Sequence, residues 1–488
     1  MKKGSEKGAV TIYMSIVLSV ILSLFLAVIE GAKCRAVSLY AECAFDLAVY
    51  SVFAEYNREL FEQYDLFFID TAYGEQTGSL SRTENHLKYY LNENLDSSSE
   101  FPVFNFTKAY TEQVHIDGAS YATDDGGEVF ERQAVAYMKH KYGISYGEKI
   151  KKELETAKEK ELFTKDVSPE REANHAKIDE VEKNGIATGE VDENGNAIVK
   201  EVDVDNPADQ MNGVRSKGIL LLVINDAETI SEQTADLTDC ISGKKPETKG
   251  LGRSERDGVS TWEEFLFDGY ILEKCGTFTN PKKTGQLQYQ AEYVLAGKNN
   301  DIDNLKSVVT RLLMMREISN VTYLFADQAK VSEAGALAAI LCEAAGAPVL
   351  IEPVKITLLF AWAYAESVYD VKLLLAGKKV PLIKTAADWH YSLEGMLQVE
   401  SENVPANTQE TPIGNGLSYE EYLRLFLAME KEEQKVLRMM DIAQMDVRKN
   451  SGFQQFSLSN CVDLLRMEAT VGSRYGYYRE MKRTYYYI

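Results

Sequence analysis

The segment Gly143-Ile144-Ser145-Tyr146-Gly147 has the G-x-S-x-G pattern that surrounds the nucleophilic serine of many hydrolases. That chemistry requires a strand before the serine and a helix after it, so that the hydroxyl is exposed at a sharp turn. Residues 129–140 have the apolar spacing of a helix instead, and no later aspartate and histidine form a convincing pair. We therefore interpret the segment as a glycine-rich turn between helices, and we predict no catalytic residues and no enzymatic activity.

A short acidic segment has the ligand spacing of a calcium loop. The matching side chains at positions one, three, five and twelve are Asp192, Asn194, Asn196 and Asp203. Ala197 stands where the sharp turn of such a loop requires glycine, and flanking helices are missing. Asn194-Gly195 between short apolar runs is instead typical of a β-hairpin turn. We predict an acidic hairpin over residues 181–209 and no metal site.

The cysteines and histidines predict neither a zinc site nor a redox motif, because no C-x-x-C occurs and the five histidines are scattered. No phosphate-binding loop or dinucleotide-binding turn is present in the sequence, so no cofactor is expected. Cys34 and Cys43 would lie about 13 Å apart along one helix, too far to form a disulfide. Cysteines 240, 275, 342 and 461 are free to pair, but their spacing does not indicate how.

Tyrosine is frequent, with 28 copies, and six of them crowd the C-terminus. These six are Tyr475, Tyr477, Tyr478, Tyr485, Tyr486 and Tyr487. Clustered rings suit either a platform for a glycan or a partner, or an ordinary aromatic hairpin. The sequence leaves both alternatives open.

An uncharged, largely apolar run over residues 9–29 is long enough to cross the hydrocarbon core of a bilayer as a helix. Small residues recur at every fourth position and form one stripe on which a second helix can approach closely. The stripe consists of Thr11, Ser15, Ser19, Ser23, Ala27 and Gly31. It is either a helix-packing interface or a set of small residues that a spanning helix tolerates anywhere.

The residues that flank the apolar run indicate its orientation. Lys2, Lys3 and Lys7 precede it, and basic residues favour the cytoplasmic side, so the bulk of the chain is expected outside the cell membrane. A cleavable secretory signal is the alternative, but its apolar core is usually shorter and ends in small residues. Lys33 before Cys34 does not fit a lipoprotein signal. We predict a retained single-pass anchor.

Composition limits the partners of the remaining chain. The 488 residues are 45% hydrophobic and 26% charged, enough for one or two compact domains with substantial cores. The formal net charge of -22 argues against nucleic acid and against a polybasic grip on anionic lipid, since both require clustered lysine and arginine.

The pattern along the chain predicts a helix-rich α+β fold in six segments. These are a basic cytoplasmic N-terminus (1–8), a transmembrane helix (9–29), an amphipathic stem helix (30–68), an α+β region (69–180), the acidic hairpin (181–209), and a helix-rich outer region with a C-terminal β-hairpin (210–488). Further helices are predicted over 76–95, 129–140, 150–162, 301–320, 326–344 and 356–375. Strands are predicted over 101–121, 288–295, 461–471 and 477–488, and a polar loop over 238–258.

The N-terminal sequence Lys-Gly-Ala-Val-Thr-Ile-Tyr-Met, followed by an apolar helix and an amphipathic stem, resembles the TadE and TadG pseudopilin-like proteins of Tad pilus loci. Four later stretches resemble an uncharacterised bacterial family found near such loci. They are Glu292 to Gly297, Arg311 to Glu317, Trp362 to Val368 and Gly416 to Leu423. Prepilins carry a glycine before the cleavage point, which Gly8 matches, and a glutamate five residues beyond, where this chain has Tyr13. This departure favours an uncleaved, anchored form.

The resemblance implies a membrane-anchored minor pseudopilin or accessory component of a Tad-like pilus or secretion apparatus. Its partners would be membrane-embedded pilus components or other pseudopilins, and it would act by packing. The alternative is an anchored extracytoplasmic module that binds a glycan or peptide, or that acts as a sensor.

Overall fold

The structure is a computed structural model that describes most of the chain. The described residues are 3–95, 108–142, 148–191, 197–204, 206, 209, 213, 215, 218–224, 230–244, 247–251, 261–397, 416–450 and 454–487. Among them helix predominates over strand, and the predicted α+β class with helix in excess is confirmed at this level. The G-x-S-x-G segment, and Asp192, Asn194 and Asn196 of the calcium-like pattern, lie outside the described residues.

The helices begin and end as follows: α1 Lys3–Phe53, α2 Arg58–Tyr64, α3 Leu80–Leu95, α4 Glu128–Tyr142, α5 Glu148–Glu159, α6 Ser168–Asn184, α7 Ile219–Val223, α8 Thr261–Lys274, α9 Gln290–Ala296, α10 Asp301–Ala326, α11 Gln328–Ala345, α12 Ile351–Leu375, α13 Leu393–Leu397, α14 Tyr419–Leu427 and α15 Glu432–Asn450. The strands are β1 Ile69–Asp70, β2 Ala109–Tyr121, β3 Ile186–Val191, β4 Ala197–Lys200, β5 Cys461–Ser473 and β6 Tyr478–Tyr486.

The chain divides into two compact units, each assembled from separate stretches of sequence. Unit 1 comprises Met1–Tyr137, Lys244–Val259 and Val447–Ile488, and unit 2 comprises Met138–Gly243 and Ser260–Asp446. The segment predicted as one outer region, 210–488, therefore contributes to both units. The reason is strand pairing, since β5 and β6 complete a sheet whose other strands come from early in the chain.

Unit 1 is built on an antiparallel sheet with β5 at its centre. β2 pairs along one edge of β5, while β1 and β6 pair along the other edge at different heights. Helices α1 and α3 cover one face of this sheet, because both carry apolar side chains at helical spacing. Phe45 and Ala48 of α1 are fully buried there, together with Leu87 and Leu91 of α3.

The amphipathic part of α1 has the predicted apolar stripe, since Val37, Ala41, Ala44 and Val52 are all buried. The helix nevertheless ends at Phe53, whereas the sequence predicted a stem that continues to residue 68. The chain turns after Phe53, and Asn57 starts the next helix: its backbone is extended, and its side chain accepts a hydrogen bond from Leu60 N at 3.0 Å. This bond caps the short helix α2.

Unit 2 is mostly helical, and α12 lies at its centre with α6, α10 and α11 packed against it. Helices α10, α11 and α12 confirm the predicted helices, with small shifts at their ends. The strand predicted over 288–295 is wrong, because these residues form most of α9. All six residues from Gln290 to Leu295 are buried, so their apolar pattern does not distinguish a helix from a strand.

Both predicted hairpins are present. β3 and β4 pair antiparallel on either side of the predicted Asn194-Gly195 turn, which itself lies outside the described residues. β5 and β6 form the C-terminal hairpin, with Gly476 at a φ of 82° in its turn. All six cysteines are free thiols, with Cys34 and Cys43 exposed and the other four buried.

Candidate functional site

The first part of α1 is apolar and bare. Gly8–Phe53 is long and apolar enough to cross a membrane, with a mean hydropathy of 2.7 in its most apolar window, none of which is buried. Leu18, Leu22 and Phe25 each expose about 60% of their surface. Exposed apolar area costs about 25 cal/mol per Å², so a helix with this surface is stable in a bilayer and not in water.

The stripe of small residues lies on this bare part of the helix. Thr11, Ser15, Ser19, Ser23, Ala27 and Gly31 are all exposed. The serine hydroxyls donate to backbone carbonyls one turn earlier: Ser15 Oγ to Thr11 O at 2.9 Å, Ser19 Oγ to Ile16 O at 2.8 Å, and Ser23 Oγ to Val20 O at 2.8 Å. The serine hydroxyls of the stripe therefore need no hydrogen-bond acceptor on a second helix. Packing of the stripe against another helix stays a prediction.

The second part of α1 is fixed to the sheet of unit 1 by polar contacts as well as apolar packing. Arg483 of β6 binds Asp46 at 2.7 Å, and Tyr40 Oη donates to the carbonyl of Asn94 at 2.9 Å. Near the end of the helix, the Tyr487 hydroxyl donates to the Phe53 carbonyl. The apolar run and the sheet are therefore joined through one continuous helix of 51 residues.

A second helical segment, Pro348–Leu375, also passes the length and hydropathy test for a span, with a mean hydropathy of 1.3. Most of it is buried inside unit 2, and Trp362, Glu366 and Asp370 are fully covered by protein. Buried charged side chains with protein partners are typical of a core helix in this position. We assign the segment, which contains α12, to the core of unit 2.

Helix α12 carries the most concentrated group of buried charges among the described residues. Asp370 Oδ2 accepts from Arg316 Nη2 at 2.9 Å and from Asn320 Nδ2 at 3.0 Å. Lys384 Nζ lies 2.6 Å from Asp370 Oδ1 and also binds Glu366. We call Arg316, Asn320, Glu366, Asp370, Lys384 and His390 the core charge network.

Backbone groups complete the core charge network. Glu366 accepts the N–H of Tyr391 at 3.0 Å, and Nδ1 of His390 lies 2.9 Å from the same carboxylate. Arg316 Nη1 donates to the Leu382 carbonyl at 2.8 Å. The loop that follows α12 is thus tied to both α12 and α10 by charge-assisted hydrogen bonds.

The two carboxylates of this network are ionised. Burial opposes their ionisation, but the charge of Lys384 outweighs it and holds the pKa of Glu366 below its usual value. Burial likewise acts against Asp370, whose pKa is nevertheless lowered by Lys384 and Arg316. Two carboxylates are therefore balanced by two cations, which is the condition for burying charge at acceptable cost.

The donor set of this network does not fit a metal ion. Ligand atoms of Glu366, Asp370 and His390 lie within 4.8 Å of one another, as a metal site would require. The ammonium group of Lys384 contacts both carboxylates, so it already occupies the position that a cation would take. A metal ion would have to displace it and leave the lysine buried without a partner.

Sequence reasoning did not identify this network. The spacing of Glu366 placed it on the predicted helix, but Arg316, Lys384 and His390 come from separate segments. The available signal was the presence of Glu366 and Asp370 inside an otherwise apolar helix, since carboxylates on such a face require cationic partners.

A family profile matches residues 198–473, and it describes the family of unknown function DUF5702. This match covers more than half of the chain. The protein belongs to the DUF5702 family. The DUF5702 segment contains the whole core charge network and ends at the last residue of β5, while α1 lies outside it. No curated protein and no solved structure matches the chain.

Proposed function

We propose that this protein is a non-enzymatic, membrane-anchored accessory component or minor pseudopilin of a Tad-like pilus or secretion apparatus in the bacterial cell membrane. The single observation that carries the proposal is α1, whose bare apolar half continues without a break into a half packed on an antiparallel sheet. Such a helix positions a folded body at a fixed place beside a membrane. It also leaves one helical surface available to other membrane helices.

The proposed orientation places the N-terminus in the cytoplasm and both folded units outside. Lysines precede the apolar run, and basic residues are retained on the cytoplasmic side. In this orientation the partners are other membrane-embedded pilus components, which contact α1 inside the bilayer. Helix association there depends on close packing, because lipid provides little hydrophobic drive.

The proposal is tested by the intact mass of the native protein in washed membranes and in sheared surface filaments. Full-length protein in membranes that co-purifies with pilus components is expected of an accessory component. A chain shortened after Gly8 and present in filaments identifies a pilus subunit. Protein recovered only as a soluble, shortened chain would contradict the proposal, because α1 would then be a cleaved signal.

One observation favours the alternative of an anchored binding module. Aromatic side chains of α1 and the C-terminus surround an open cleft of about 320 Å³ in unit 1. The cleft is lined by Tyr50, Phe53, Ala54, Tyr56, Phe67, Tyr485, Tyr486 and Tyr487. Exposed tyrosine rings suit the flat faces of sugars or of peptide side chains. Full-length protein in membranes that binds a glycan and lacks pilus partners would support this alternative.

A further inference from the structure

The turn between β5 and β6 lies beside the end of the apolar run of α1. The Tyr477 hydroxyl donates to Glu30, which directly follows Ile29, the last apolar residue of the run. One turn further along α1, Lys33 Nζ lies 5.0 Å from the centre of the Tyr475 ring. These contacts fix the turn at the level where the helix leaves its apolar segment.

The side chains around this turn are aromatic and basic. Lys108, which precedes β2, extends over the same Tyr475 ring at 5.8 Å. Tyr110 and Tyr478 are both paired with Gly472 of β5, so they lie on the strands on either side of β5, and they expose 42% and 60% of their surface. Arg474 is also exposed. We call Lys108, Tyr110, Arg474, Tyr475, Tyr477 and Tyr478 the hairpin tip.

This composition differs from that of the chain as a whole. The protein carries a formal net charge of -22, yet lysine and arginine are the charged residues of the hairpin tip. Two carboxylates lie beside it: Glu30 is bound by Tyr477, and Glu112 is close enough to Tyr110 to add to the rise in the pKa of its hydroxyl that a hydrogen bond with Tyr478 causes. Tyrosine with lysine or arginine is the composition found where membrane proteins meet the headgroup region, because the ring lies among the upper acyl chains and the cation binds phosphate.

The tyrosines at the other end of β6 have a different environment. Tyr485 packs edge-to-face on Phe53 of α1, with ring centres 4.7 Å apart. Tyr486 lies eight residue steps beyond Tyr478 along the extended strand, a distance of about 27 Å. One end of the strand therefore lies beside the end of the apolar run, and the other end lies well beyond it.

We propose that the hairpin tip inserts into the phospholipid headgroup region of the bilayer that α1 crosses. This inference rests on the proposed membrane anchor and adds a second contact with the same membrane. Because α1 enters the bilayer at residues 29–33, side chains that contact Glu30 and Lys33 lie at headgroup depth. Two contacts on one rigid unit fix the tilt of α1 and its rotation about its own axis, which a single spanning helix leaves free.

The test measures the depth of single tryptophans in the full-length protein, reconstituted into vesicles of phosphatidylcholine and phosphatidylglycerol with or without bromine on the upper acyl chains. The variants are Tyr478→Trp at the hairpin tip, Tyr486→Trp at the other end of the strand, and Leu22→Trp within the apolar run. Tyr486 is 50% exposed and so is a matched control. The native tryptophans are common to all variants and cancel in the difference from the unaltered protein.

We expect Tyr478→Trp to lose about half of its added emission in brominated vesicles, because interfacial rings lie within reach of the upper acyl chains. Tyr486→Trp should lose almost none, and Leu22→Trp should be strongly quenched. Quenching of Leu22→Trp without quenching of Tyr478→Trp would overturn the inference and leave the anchor intact. Equal quenching of Tyr478→Trp and Tyr486→Trp would also overturn it, because the contact would not be confined to the tip. An unquenched Leu22→Trp would remove the anchor and this inference together.

A second variant tests the same contact from β2, the strand on the other side of β5. Tyr110→Trp, in β2, should be quenched to a similar extent as Tyr478→Trp, because both side chains flank Gly472. If Leu22→Trp is quenched but neither Tyr110→Trp nor Tyr478→Trp is, the hairpin tip does not contact the lipid and the inference is overturned.

Discussion

At the scale of single residues, Lys384 determines whether α12 can keep two carboxylates in the core of unit 2. Lys384→Met should lower the free energy of unfolding by about 3 to 5 kcal/mol, because it leaves Glu366 and Asp370 with one buried cation between them. Chemical denaturation measures the change. Lys378→Met is the control, since Lys378 is exposed a few residues away and its replacement should change stability by less than about 0.5 kcal/mol. Equal effects of the two variants would contradict the prediction.

Glu292 in α9 is the opposite case, a buried carboxyl group held in the protein by neutral donors. Its Oε1 accepts from the Phe278 N–H at 2.7 Å and from the Tyr419 hydroxyl at 2.8 Å. Burial raises the pKa of Glu292 to about 7, and the nearby charge of Asp301 acts in the same direction. The folded protein therefore binds this proton more tightly than the unfolded chain does.

The consequence for stability follows from that difference in proton affinity. As pH rises from the ordinary glutamate pKa of about 4.3 to about 7, the unfolded chain loses this proton first and the folded state loses stability. Glu292→Gln removes the ionisation, so its stability relative to the original protein should rise between pH 5 and pH 8 by roughly 2 to 4 kcal/mol. Unfolding titrations at both pH values measure this. For the exposed control Glu343→Gln, the difference in stability from the original protein should be the same at both pH values. If the stability difference of Glu292→Gln is also independent of pH, the raised pKa of Glu292 is disproved.

At the scale of elements, α14 begins with a complete capping box. Ser418 Oγ accepts from the Glu421 N–H at 3.2 Å, and the Glu421 carboxylate accepts from the Ser418 N–H at 2.8 Å. Ser418→Ala should lower the free energy of unfolding by about 1 kcal/mol and should lower the melting temperature accordingly. Ser332→Ala, in the exposed interior of α11, should be neutral or slightly stabilising because alanine is the better helix former. A melting temperature unchanged by Ser418→Ala would show that packing alone positions α14.

The stripe on α1 gives a prediction for the proposed membrane anchor. Replacing Ser19 and Ser23 with leucine should weaken co-purification of membrane partners and leave insertion intact, since leucine blocks close approach and raises hydrophobicity. Val17→Leu with Ile21→Leu is the matched control, because each position lies about 200° around the helix from a serine of the stripe. Unchanged co-purification in the serine variant, or equal loss in both, would contradict a packing role.

Regular elements could be predicted where local pattern and local chemistry agree. Helix α11 is capped by Asp327 just before its first residue and by Gly346, in the left-handed conformation, just after its last, and both signals are present in the sequence. Helix α9 was predicted as a strand because burial on every side removes the periodicity that distinguishes the two. The core charge network could not be predicted, since Arg316, Asp370 and Lys384 meet only through tertiary packing. The placement of the C-terminal strands in the sheet of unit 1 has the same cause.

At the scale of the whole molecule, the cysteines report on topology. Cys34 and Cys43 are exposed on α1 beyond the apolar run, and the other four thiols are buried. Burial raises the pKa of the Cys275 thiol to about 12, which suppresses its reactivity further. In the proposed orientation, a membrane-impermeant maleimide should label Cys34 and Cys43 on intact cells.

The controls for this labelling are single replacements. Cys34→Ser and Cys43→Ser should each remove one label, and Cys342→Ser should remove none. Labelling that appears only after the membrane is opened would reverse the proposed orientation.

The position of β5 at the centre of its sheet also affects biosynthesis. The ribosome makes α1 first, but the strand that covers its apolar face is made almost last. At usual rates of synthesis the interval is some tens of seconds, during which α1 and α3 lack the central strand of the sheet that they cover. In the proposed anchored form, a chain interrupted before Cys461 would therefore carry an incomplete sheet with exposed apolar side chains. Quality control of such fragments by proteases would fall on this protein more heavily than on one that completes its first sheet early.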